Sequence, residues 1–178
     1  HRLVGDRTVA ELRKDADTVT EQTWVHVTKT GDSLPMRNIF AQFNRAATKR
    51  ILYVTHYDTK PFATKSFSKA DTLKPVPGAN DGASGVGLLL VLAEALKAAP
   101  STVGVDFLFT DGEDYGEFFG VDKDTAQGSD VLIGARYYAS HMLPDANYRP
   151  MFGVLWDMIG DQSLLVLRET SSEACARE

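Results

Sequence analysis

Three short, largely apolar runs in this chain each end in ionisable residues. Ile51–Thr55 runs into His56-Tyr57-Asp58, Val103–Thr110 into Asp111-Gly112-Glu113-Asp114, and Phe152–Trp156 into Asp157. Brief apolar runs rich in β-branched and aromatic residues read as strands buried on both faces of a sheet. Between them lie two helical patterns, Ala83–Ala98 closed by Pro100 and Val131–Met142 closed by Pro144. Upstream, residues 3–16 repeat Leu3, Val4, Val9, Leu12 and Ala16 at helical spacing, and Val19–Val27 alternates as a strand. The turn signal Lys29-Thr30-Gly31-Asp32 then joins it to Asn38–Phe43 as an antiparallel hairpin. Leu164–Leu167 is a candidate further strand.

A hairpin followed by strand, helix, strand, helix, strand predicts the α/β class. The expected architecture is a three-layer α/β/α domain: a mixed, mainly parallel twisted sheet with helices on both faces. Residues 1–178 read as one domain. Two long polar loops, 57–80 and 115–130, fall outside the regular elements, and loops of that length inside a compact domain usually carry function.

Composition narrows the partners. The net charge of −5, with no lysine- or arginine-rich run, predicts no nucleic-acid partner. The longest greasy stretch, Val86–Leu96, is broken by Glu94 and reads as a buried helix, so no membrane-spanning segment is expected. The one cysteine, Cys175, can form no internal disulfide and no cysteine-rich zinc site. His1-Arg2 opens the chain with no leader-like segment, which predicts a mature or trimmed fragment.

In open α/β sheets, sites form beyond the carboxyl ends of the strands. If the three buried strands are neighbours, His56 and several carboxylates converge on one edge, joined by Asn80-Asp81-Gly82 just before the long helix. Crowded carboxylates raise one another's pKa, and a divalent cation resolves the conflict. Imidazole with carboxylates and no thiolate suits zinc, with manganese or cobalt possible on ligand type. Glu113 and Asp114 divide the work: Asp114 as ligand, Glu113 as general base taking a proton from a water that the metal activates. Gly112 permits the bend that turns both toward the site. Asp58 is expected to orient His56 rather than bind metal. Asp111 and Asp161 are expected to be merely solvated, and His26 and His141 to be structural or surface residues.

Taken in order, four segments resemble the zinc aminopeptidase family, which also contains the glutaminyl cyclases. They are His56-Tyr57-Asp58-Thr59, Pro77 to Val86 (PGANDGASGV), Asp111-Gly112-Glu113-Asp114 and Trp156-Asp157-Met158-Ile159-Gly160. The resemblance identifies the chain with peptidase family M28 and implies the zinc-exopeptidase fold. In the aminopeptidases it implies two zinc ions bridged by Asp81, one also held by His56 and Asp157, the other by Asp114 and a later histidine. Glu113 matches the general base. Members usually carry Glu-Glu where this chain has Glu113-Asp114. In the cyclases a single zinc takes the positions of Asp81, Asp114 and the later histidine, and Asp157 becomes a hydrogen-bonding partner. His56-Tyr57-Asp58-Thr59-Lys60 and Ile133-Gly134-Ala135-Arg136 look cyclase-like, whereas the Asp81 loop reads as the peptidase version.

No histidine follows His141, so the expectation is a domain incomplete at its C-terminus, stopping before the last ligand. The resemblance implies a peptide or protein N-terminus as substrate and a secreted or periplasmic location; it leaves oligomeric state open. Three readings follow: a metallo-exopeptidase of aminopeptidase type, a glutaminyl-peptide cyclotransferase, and a peptidase-like binding domain without catalysis. The missing histidine favours the last, and the intact Glu113 opposes it.

Overall fold

The computed structural model describes residues 2–64, 66, 68–116 and 130–165. The elements run α1 (Arg2–Asp15), β1 (Thr18–Val27), β2 (Ser33–Phe43), β3 (Arg50–His56), α2 (Ala83–Ala98), β4 (Gly104–Thr110), α3 (Ile133–Ser140) and β5 (Phe152–Leu155). The five strands form one mixed sheet in the order β1-β2-β4-β3-β5. β1–β2 and β2–β4 are antiparallel, whereas β3–β4 and β3–β5 are parallel.

Side-chain alternation sorts the core into two layers. Ile39, Ala41 and Phe43 of β2 and Val105, Phe107 and Phe109 of β4 face Val9 and Leu12 of α1 and Val86, Leu89 and Ala93 of α2. Phe40, Leu52 and Leu108 point the other way and pack on Tyr138 of α3 and on Tyr148. Helices therefore cover both faces, the three-layer arrangement expected from the strand and helix order. From β3 the chain crosses by α2 to β4, and from β4 it returns by α3 across β3 to β5. Parallel crossovers share one hand, so reversing direction along the sheet moves the second helix to the opposite face. The reversal point lies at the carboxyl ends of β3 and β4, where α/β sheets bind ligands.

The differences from expectation have local causes. β2 begins at Ser33 rather than Asn38. Its first residues pair with β1 only, Pro35 opposite Val25, and a strand with one free side accommodates a proline. In α1, Val9 and Leu12 are buried, but Leu3 and Val4 at its start are 83% and 45% exposed. α3 is shorter than expected, because Leu132 before it takes a left-handed φ of 52°. Leu164 and Leu165 are not in a strand; Leu167, Cys175 and most of the 115–130 loop lie outside the described residues. β5 is an edge strand among the described residues, with Phe152 49% and Leu155 64% exposed. No helix is long and apolar enough to cross a membrane among the described residues.

Candidate metal centre

Strand register brings the site together. In the parallel pairs His56 lies opposite Thr110 and Val54 opposite Leu155. Two residues further along, Asp157 comes level with His56, while Asp111 to Asp114 lie just past the end of β4. Asp81 arrives from the loop before α2. A side chain at Gly82, where φ is 90°, would press on the Asp58 carbonyl and the His56 ring. A residue without Cβ, free to take positive φ, is what lets this loop approach His56. Gly112, with φ 66°, makes the bend beyond β4.

His56 is the hub. Its side chain is 1% exposed, and its Nε2 lies 3.0 Å from Asp81 Oδ1 and 3.4 Å from Asp157 Oδ1. Nδ1 faces Asp58 Oδ1 at 3.5 Å. Neither ring nitrogen is in hydrogen-bonding geometry. Candidate ligand atoms form two overlapping groups, His56 with Asp81 and Asp114, and His56 with Glu113 and Asp157, each within 4.8 Å. All five residues named from the sequence as ligands or base are thus brought together. A buried imidazole flanked by carboxylate oxygens, yet hydrogen-bonded to none, fits a divalent cation, and a thiolate-free nitrogen and oxygen set fits zinc.

The electrostatics agree. Burial pushes Glu113 up to about 7; His56 opposes this, while Asp157, Asp58 and Asp114 add to it. Burial, then the Asp81 charge, raise Asp114 to about 6. Burial pulls His56 down, but the carboxylates of Asp58, Glu113 and Asp114 outweigh it and raise the ring to about 10. This is the like-charge conflict that a cation relieves.

Asp58 does more than face His56. Its Oδ1 accepts from the Glu113 amide at 3.0 Å and its Oδ2 from the Asp114 amide at 3.1 Å. One buried carboxylate thus faces the histidine and holds the acidic pair by its amides. From the other side Leu132 N donates to the Glu113 carbonyl at 3.0 Å.

Asp111 corrects the sequence reading. It is 1% exposed rather than solvated. Its Oδ2 accepts from the Arg37 amide, and its own amide donates to Asn38 Oδ1. The first half of β2 extends past the carboxyl end of β4 and encloses it. Burial raises Asp111 to about 6. Asp161 is exposed, as expected. His26 pairs with Asp130 at 2.9 Å. His141 ends α3, stacked on Tyr137 at 4.2 Å, and belongs to neither ligand group.

Residues 38–176 match the model of peptidase family M28. Aminopeptidase YwaD of Bacillus subtilis (strain 168) is 30% identical over 111 residues, which are 62% of this chain and 18% of that protein. A glutaminyl cyclase of Bacteroides thetaiotaomicron, solved bound to N-acetylhistamine, superposes with a TM-score of 0.82 at 32% identity. The match covers 93% of this chain and 56% of that one. A Zn-dependent exopeptidase of Parabacteroides distasonis superposes with a TM-score of 0.79 at 31% identity, covering 90% of this chain and 54% of that one. The chain therefore spans little more than half the length of these solved structures, and less than a fifth of the aminopeptidase.

Proposed function

The chain belongs to peptidase family M28, and from that premise we propose that it carries the metal site of an aminopeptidase-type zinc exopeptidase, which removes residues from peptide N-termini. The observation that carries this reading is His56 Nε2, buried and unbonded between the Asp81 and Asp157 carboxylates, with Glu113 and Asp114 beside it. His56, Asp81, Asp114 and Asp157 would hold zinc, and zinc there would supply an acidified water and a polarised carbonyl. Glu113 takes the proton from the attacking water and passes it to the leaving amine. Asp58 keeps Glu113 and Asp114 turned to the site through their amides. The family likeness supports a location outside the cytoplasm.

Zinc content tests the metal assignment. Equilibrium dialysis with elemental analysis is expected to find at least one zinc per chain, and His56→Ala is expected to lose it. A well-folded wild-type chain that binds none overturns the reading. Two zincs would require a further ligand beyond those named here.

The likeness to the glutaminyl cyclase at a TM-score of 0.82 favours a second reading. There the substrate's own N-terminal amine attacks its γ-carboxamide, ammonia leaves, and Glu113 shuttles the proton. Mass spectrometry of a peptide with N-terminal glutamine separates the two. Loss of the residue with a new amino terminus marks the peptidase; loss of ammonia alone, with the peptide intact, marks the cyclase.

A further inference from the structure

Asp157 has the weakest local support in the cluster. It follows β5, a strand of four residues that pairs only with β3 among the described residues. Yet its carboxylate lies 3.4 Å from His56 Nε2. Next to it Met158 adopts φ 52°, a left-handed conformation that is unfavourable for a residue with a long side chain and persists only where the surroundings impose it.

The constraint comes from the first turn of α2 and the loop before it. Ile159 N donates to Ser84 Oγ at 3.1 Å, and Gly160 N donates to Asn80 Oδ1 at 2.6 Å. Ser84 Oγ in turn donates to the Asn80 carbonyl at 2.5 Å. Two consecutive amides beyond Asp157 are thus taken up by two side chains flanking Asp81. The packing is close. A Cβ at Gly85 would meet the Trp156 carbonyl at 2.8 Å, and one at Gly160 would meet Ser84 Cβ at 2.9 Å.

We propose that Asn80 and Ser84 are positioning residues for Asp157, tying residues 156–160 to the Asp81 loop so that both carboxylates flanking His56 Nε2 are set by one hydrogen-bonded unit. The proposal rests on the metal reading above. Neither side chain touches the reacting atoms; each acts through Asp157. A hydrogen-bonding partner behind a metal ligand typically governs affinity by about 10- to 100-fold.

The test uses Asn80→Ala, Ser84→Ala and the hydroxyl-retaining Ser84→Thr. Amide hydrogen exchange at Ile159 and Gly160 reads the clamp directly, and zinc affinity, measured against a competing chelator, reads its consequence. The alanine variants are expected to exchange faster at Ile159 (Ser84→Ala) or Gly160 (Asn80→Ala) and to bind zinc about 10- to 100-fold more weakly. Ser84→Thr is expected to recover both. Unchanged exchange overturns the clamp. Faster exchange with unchanged zinc affinity overturns its positioning role while the metal reading stands. A wild-type chain that binds no zinc overturns the metal reading, and the role of the clamp with it, whatever the exchange result.

Discussion

Glu113→Gln is expected to lower turnover of an N-terminal peptide substrate by about 10²- to 10⁴-fold, the usual contribution of a positioned general base, while zinc stays bound. The amide keeps the shape and hydrogen-bonding reach of the carboxylate but cannot take a proton. Burial, which brings its pKa up to about 7, favours a proton-transfer role for this carboxylate. Glu113 lies on the opposite ligand group from Asp81 and Asp114, and burial holds it near neutrality. Asp58 and Leu132 fix its backbone through one hydrogen bond each, which keeps its carboxylate beside His56 and Asp157. The measurement is kcat beside zinc per chain, on the same preparation. Activity lost with zinc retained supports the base. Zinc lost together with activity makes Glu113 a ligand, and activity largely kept removes it from the chemistry. Asp114→Asn serves as the contrast, because its expected first effect is on metal affinity.

Much of this site is legible in the sequence because one physical rule places it. Strands of such a sheet are largely apolar along their length, so the ionisable residues that follow each one mark the sheet edge, and parallel strands bring those edges level. That rule finds His56, Glu113, Asp114 and Asp157, and the helix start after Asn80-Asp81-Gly82 finds Asp81. What it misses depends on contacts far apart in the chain. Asp111 obeys the same pattern and reads as solvated, yet Arg37 and Asn38, some 74 and 73 residues away, enclose it. Asn80 and Ser84 read as a turn and a helix start, and nothing local says that they receive the amides of Ile159 and Gly160. Asp58 was expected to serve His56; its grip on two amides 55 and 56 residues away belongs to the loop geometry beyond β4. The exposed Leu3 and Val4 show the opposite error, since helical periodicity says which residues share a face but not where the sheet beneath it ends.

The same long-range logic sets the largest expected loss of stability, Arg50→Met, at about 3–5 kcal/mol. Asp106 sits inside β4 with a side chain 0% exposed, and Arg50 clasps it with two bonds of 2.6 Å, Nε to Oδ2 and Nη2 to Oδ1. Tyr148 OH adds a third at 2.7 Å and Gln42 a longer fourth at 3.3 Å. The guanidinium also donates to the carbonyls of Phe43, Asn44 and Ala47, binding the turn between β2 and β3 to the amino end of β4. Gly104 makes room, since any Cβ there would strike the Arg50 side chain. Methionine fills the volume but leaves a buried carboxylate with neutral donors only, and an uncompensated buried charge is what makes breaking such a pair costly. Arg50→Lys is expected to fall in between, because one ammonium cannot reproduce the two-pronged contact. Pairing Arg50→Met with Asp106→Leu should recover much of the loss, less the cost of orphaning the Tyr148 hydroxyl, about 1–3 kcal/mol. Urea unfolding of the four proteins measures this. A loss under 1 kcal/mol for Arg50→Met would mean that water reaches Asp106. Because the pair lies at the opposite end of β4 from Glu113, zinc content per folded chain should stay at the wild-type level throughout, so a simultaneous loss of zinc would show that the sheet transmits the damage along its whole length.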